Sequence, residues 1–91
     1  GWRAKVTRYY PEAGIFEFDQ GFSSLIGENQ TFTIYEANED VIGVGCDSHH
    51  VVAYGHTTTV DPISSVAIVD EFRDARGVKA GDVVMIRKAG R

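Results

Sequence analysis

Ninety-one residues, 43% of them hydrophobic and 24% charged, suffice for one small globular domain and are too apolar for a disordered chain. The net charge of −4, from nine Lys and Arg against thirteen Asp and Glu, argues against a nucleic-acid binder, which needs a positive surface to displace phosphate counterions. A single cysteine excludes an intrachain disulfide, and no apolar run is long enough for a membrane-spanning helix.

The dominant period along the chain is two. Trp2, Ala4 and Val6 alternate with Arg3, Lys5 and Thr7, which predicts a half-buried strand running to Tyr10. Pro11-Glu12-Ala13-Gly14 reads as a turn, and Ile15, Phe16 and Phe18 as a second strand closing a hairpin. Residues 20–29 read as a loop whose apolar members, Phe22, Leu25 and Ile26, are expected to tuck under one end of the fold. Thr31 to Tyr35 gives the clearest strand, with Phe32 and Ile34 alternating with threonines.

Val41 to Val44 predicts a short apolar strand, followed by a polar connection. Val51 to Val60 predicts a long strand in which Gly55 marks a bulge or a sharp coil. Asp61-Pro62 is a turn, Ser65 to Val69 a buried strand, and residues 70–77 one helical turn or a polar loop. Val83 to Ile86 is the last strand.

These elements define an all-β domain: a small closed or partly open barrel of six to seven short, mainly antiparallel strands, covering residues 1–91 as one unit. Closure removes the strand edges on which so small a sheet would aggregate. The start at Gly-Trp suggests a fragment of a longer protein. Two segments echo one another. Gly27-Glu28 precedes the strand at Phe32, and Gly81-Asp82 precedes the strand at Val83. Glycine permits a positive φ, and the acid following it can accept backbone N–H bonds.

Two stretches carry a family resemblance. The first is Lys5-Val6 with Tyr9, then Gly14-Ile15-Phe16-Glu17-Phe18-Asp19-Gln20-Gly21, Gly27-Glu28 and Phe32-Thr33-Ile34-Tyr35. The second is Ala53 to Asp61, then Ser64-Ser65-Val66-Ala67-Ile68-Val69 and Gly77 to Val84. Their order and spacing, over roughly residues 4 to 88, resemble the C-terminal β-module of the bacterial flagellar basal-body ring protein FlgT and related envelope-associated modules. The segment Asp47-Ser48-His49-His50 and the glutamate at position 28 depart from that pattern. The resemblance implies a non-enzymatic structural module of a periplasmic or cell-envelope assembly. It implies protein partners and brings no cofactor and no catalytic residues, and the sequence leaves an oligomer open. A phage or virion β-module is the alternative of the same composition.

Other chemistry has candidates. Cys46, Asp47, His49, His50 and His56 are ligand types for zinc or copper, which keeps a small metal-binding domain as an alternative. Adjacent His49 and His50 point to opposite faces of an extended chain, and six residues of strand put His50 roughly 20 Å from His56. Cys46 beside an imidazole is the minimal nucleophile pair, and Ser64 or Ser65 with His56 and Asp61 a nominal triad without a nucleophile elbow. Trp2, Tyr9, Tyr10, Phe16 and Phe18 crowd the first hairpin as on an oligonucleotide-binding barrel, but the charge around them is mixed. Since Tyr9 and Tyr10 cannot both face inward, one is expected at the surface. No residue is assigned a catalytic, cofactor-binding or metal-binding role. Contacts are expected from the first hairpin and the 20–29 loop.

Overall fold

Among the described residues, alternating apolar positions with β-branched and aromatic neighbours build six strands, and these strands close on themselves. The computed structural model describes residues 3–37 and 50–87. In chain order the strands are β1 (Ala4–Tyr10), β2 (Ile15–Phe18), β3 (Thr31–Tyr35), β4 (Val51–Val60), β5 (Ser65–Phe72) and β6 (Val83–Ile86). Around the barrel they run β1-β2-β5-β4-β3-β6, every neighbouring pair is antiparallel, and β6 pairs with β1 to close the ring. The all-β barrel expected from the sequence is what the chain forms. The strand expected over Val41 to Val44 lies outside the described residues.

Period two sorts the side chains. Ala4 and Val6 of β1, Phe16 and Phe18 of β2, and Phe32 and Ile34 of β3 point into the barrel and are buried. Phe18 meets Phe32 edge-on across the interior, with ring centroids 5.0 Å apart. Tyr9 packs against this core while Tyr10 is exposed, which settles the choice between them. The Tyr10 hydroxyl donates to Glu17 Oε2 on β2 (2.9 Å).

Two local features differ from the sequence expectation or sharpen it. β5 continues to Phe72, through residues read as a helical turn or loop, because Glu71 and Phe72 pair with Tyr54 and Ala53 of β4. The register of β4 against β5 shifts at Tyr54/Gly55, where Gly55 sits on the backbone of Ile68 and the ring of Phe16. A Cβ at Gly55 would stand 2.5 Å from the Ile68 carbonyl oxygen. The glycine is therefore required by the close approach of two strands at the bulge. Gly55→Ala is expected to lower the unfolding free energy by about 1–3 kcal/mol, the usual cost of overpacking. Gly27→Ala, where a Cβ meets nothing within 4 Å, serves as the control, and urea denaturation reads both.

Candidate functional site

The barrel has two dissimilar ends. At one, the chain leaving β2 must cross to β3, and the 20–29 loop makes that crossing against the β4–β5 turn. Gly21 comes so close to the turn that a Cβ there would lie 1.9 Å from the Asp61 carbonyl oxygen. The Phe22 and Ser23 N–H groups then donate to the carbonyls of Asp61 (2.9 Å) and Pro62 (3.0 Å). The buried Ser65 hydroxyl donates to the Gln20 carbonyl (2.7 Å).

Buried Thr57 holds the far end of the loop. Its hydroxyl donates to the Gly27 carbonyl (2.6 Å) and accepts from the Gln30 N–H (2.9 Å). Its carbonyl accepts from the Asn29 N–H (2.9 Å). Two polar side chains with little else to bond inside a barrel thus become the clamps of an external loop.

Only one of the three apolar loop residues tucks in as the sequence suggested. Ile26 closes the barrel end and is buried, whereas Phe22 is 55% exposed and Leu25 93% exposed. Ile63, on the turn to which this loop is bonded, is 76% exposed. Phe22 opens a single 3₁₀ turn (Phe22–Ser24) that Leu25 ends in the left-handed region, at φ 67° and ψ 30°. For a bulky residue that backbone costs about 1–2 kcal/mol, and glycine or asparagine would fit it better. The result is an apolar rim on two loops fastened to each other.

The echo of the glycine–acid turns holds at one of its two sites. Gly81 has φ 96°, and the buried Asp82 carboxylate accepts from the Lys79 N–H (2.8 Å). At the other, the positive φ belongs to Asn29, and Glu28 is exposed.

The opposite end is polar and closed by charge. Arg76 donates from Nη2 to Asp82 Oδ1 (2.8 Å) and from Nη1 to the Gly77 carbonyl (3.0 Å). Its Nε lies 3.6 Å from Glu36 Oε2. Asp82 raises the guanidinium's affinity for its proton. The Asp74 carboxylate accepts the Arg76 N–H (2.8 Å) and pairs with His50 Nε2. The backbone bond first, and His50 second, hold its pKa below the ordinary aspartate value.

Those residues singled out for chemistry that are described do not come together. His56 Nδ1 bonds Asp70 on β5 (2.8 Å), while His50 takes Asp74. His56 pairs with Ile68, three residues or roughly 10 Å along β5 from Ser65. Ser65 is inside the barrel and bonded to the loop, and Asp61 shapes the turn with Ser64 through a backbone bond (2.9 Å). Cys46, Asp47 and His49 lie outside the described residues, as does Trp2. Among the described residues, no three His, Cys, Asp or Glu side chains are grouped to hold a metal ion. No described helix is long and apolar enough to cross a membrane.

No family model and no curated protein matches this sequence.

One signal in the sequence bears on the rim. All nine Lys and Arg lie at positions 3–8 or 73–91, so residues 9–72 contain none, although they hold all but two of the thirteen acids, Asp74 and Asp82. In the barrel, basic residues nonetheless border the loop: the Lys5 N–H donates to Asp19 Oδ1 (2.8 Å), the Arg87 N–H donates to the Thr31 carbonyl (3.0 Å), and the Arg87 guanidinium lies over the Tyr54 ring of β4 (4.0 Å). The rim loops themselves carry Glu28 and Asp61, both exposed, with Asp19 at their base.

Asp74 gives a pH test of the polar end. A carboxylate depressed in the fold contributes stability above its ordinary value of 3.8, and that contribution is lost as pH falls through the lowered folded value. Asp74→Asn keeps an oxygen for the Arg76 N–H but cannot titrate. Its unfolding free energy in urea should therefore fall less steeply than the wild type's between about pH 4 and pH 2.

Proposed function

We propose that this barrel is a non-enzymatic protein-interaction module that docks through the rim of the 20–29 loop and the 61–64 turn. The observation that carries this reading is the exposure of Phe22, Leu25 and Ile63 on two loops bonded to each other. Exposed apolar side chains scattered singly are ordinary, but a group held together at one end of a small domain marks a contact surface. Ordering the loop in advance reduces the entropy lost on association.

The histidines support the same reading, since His50 is paired with Asp74 and His56 with Asp70. The first hairpin plays the smaller part, because exposed Tyr10 is already engaged with Glu17 and Arg8. The sequence resemblance makes an envelope or appendage assembly, of flagellar type and in the periplasm, the setting we favour.

Site-specific photo-cross-linking of the protein in its own cells tests this. A cross-linker at position 63 should give one defined protein adduct, while one at exposed Thr58 on β4 should not. Phe22→Ser should abolish the adduct and leave stability within about 0.5 kcal/mol, since the side chain is largely in solvent. Cross-linking that is equal at 58 and 63, or no adduct at 63, would contradict the reading.

A further inference from the structure

β6 has the weakest hold on the barrel. Only Val84 of its four residues is fully buried, whereas every other described strand buries at least two residues. It pairs with β3 at four positions and with β1 at two. Residues 73–82, which lead into it, contain neither helix nor strand, and Gly77 turns there at φ 74°. A short strand on an irregular connection detaches at a lower free energy than the body of a fold.

The slot that β6 fills specifies what can replace it. An incoming strand must meet residues 32–35 of β3 on one side and Ala4 and Lys5 of β1 on the other. It must turn an apolar side chain inward where Val84 stands. It must also bring a carboxylate just ahead of the strand. Arg76 Nη2 donates to Asp82 Oδ1 (2.8 Å), and both side chains are largely out of water, so Arg76 left alone there would be costly. The sequence Asp82-Val83-Val84-Met85-Ile86 of a second copy meets each of these demands in the register already seen.

We propose that β6 is an exchangeable strand, and that two copies of this chain swap it, each barrel being closed by the Val83–Ile86 strand of the other. Exchange remakes every bond of the closed monomer, with Gly77 as the hinge. The rim keeps its place throughout, because its loops are bonded to Thr57, to Ser65 and to each other.

Disulfide trapping across the seam tests this. Lys5 and Val83 are partners, and the Lys5 N–H and carbonyl are both bonded to Asp19 on the other side. The pair is therefore of the non-hydrogen-bonded kind, with Cα atoms about 4.5 Å apart and within reach of a disulfide. One chain carries Lys5→Cys and a second Val83→Cys, both with Cys46→Ser, so that neither bridges within itself. Mixed at high concentration in sub-denaturing urea, returned to buffer and oxidised, they should give a covalent dimer joined 5 to 83. It should be about a hundredfold in excess over dimers joined 5 to 5 or 83 to 83, since only the first pair is held together. A chain with both Lys5→Cys and Val83→Cys, oxidised beforehand as a dilute monomer, should lose the dimer altogether, and reduction should restore it. In the unmodified chain the Val6 and Gly81 N–H groups, bonded across the seam at 2.8 and 2.7 Å, should exchange about tenfold faster than those of Thr57 and Val69, which are bonded away from β6.

A monomer throughout, equal amounts of the three bridges, or a bridged chain that dimerises like the reduced one overturns the proposal. So does seam exchange as slow as that of Thr57 and Val69, a measurement that stands even where a cysteine variant fails to fold.

Discussion

Closure of the barrel through β6 is the constraint on which the rest depends. This four-residue strand pairs with β3 at four positions and with β1 at two, Ala4 with Val84 and Lys5 with Val83. So short a seam gains two further bonds from the turn before it. The Val6 N–H donates to the Asp82 carbonyl (2.8 Å), and the Gly81 N–H to the Val6 carbonyl (2.7 Å). That turn is shaped by the positive φ of Gly81 and by the Asp82 carboxylate under Arg76. The buried ion pair at the polar end thus acts on closure. Removing one partner of such a pair costs far more than the pair itself contributes, because a charge is left buried alone.

Closure in turn decides what the other end presents. Because β2 and β3 are not neighbours in the ring, the chain between them must cross the barrel mouth, and it does so bonded to the β4–β5 turn. The loop drops Ile26 into the core and turns Phe22 and Leu25 outward. One end of the molecule therefore spends its polar groups on itself, and the other displays apolar ones. A scaffold that holds a docking surface on fixed loops follows from this division of labour.

The strands were legible because half-buried sheets impose period two. Ala4 and Val6 in β1, and Phe32 and Ile34 in β3, could alternate only as they do. Gly55 was legible as a bulge because a mid-strand glycine has few other uses. The end of β5 was not, since Asp70, Glu71 and Phe72 run beyond the core and their side chains are exposed whether or not the backbone pairs. The rim was hidden for a different reason. Apolar residues in a loop are ordinarily read as buried, and nothing local separates Ile26, which is, from Leu25, which is not. Lysine and arginine are absent across residues 9–72, but β1 and β6 bring Lys5 to Asp19 and Arg87 to Thr31 at the two ends of the loop, so the charge pattern did not mark that surface.

The central claim is that the barrel holds the 20–29 loop as a fixed platform. Native-state amide hydrogen exchange tests this most directly, residue by residue. The N–H groups of Phe22, Ser23, Asn29 and Gln30 should exchange nearly as slowly as those of β2 and β4, because each is bonded to the β4–β5 turn or to Thr57. Exchange at these four positions as fast as in an unstructured peptide, with the strands still protected, would contradict the account.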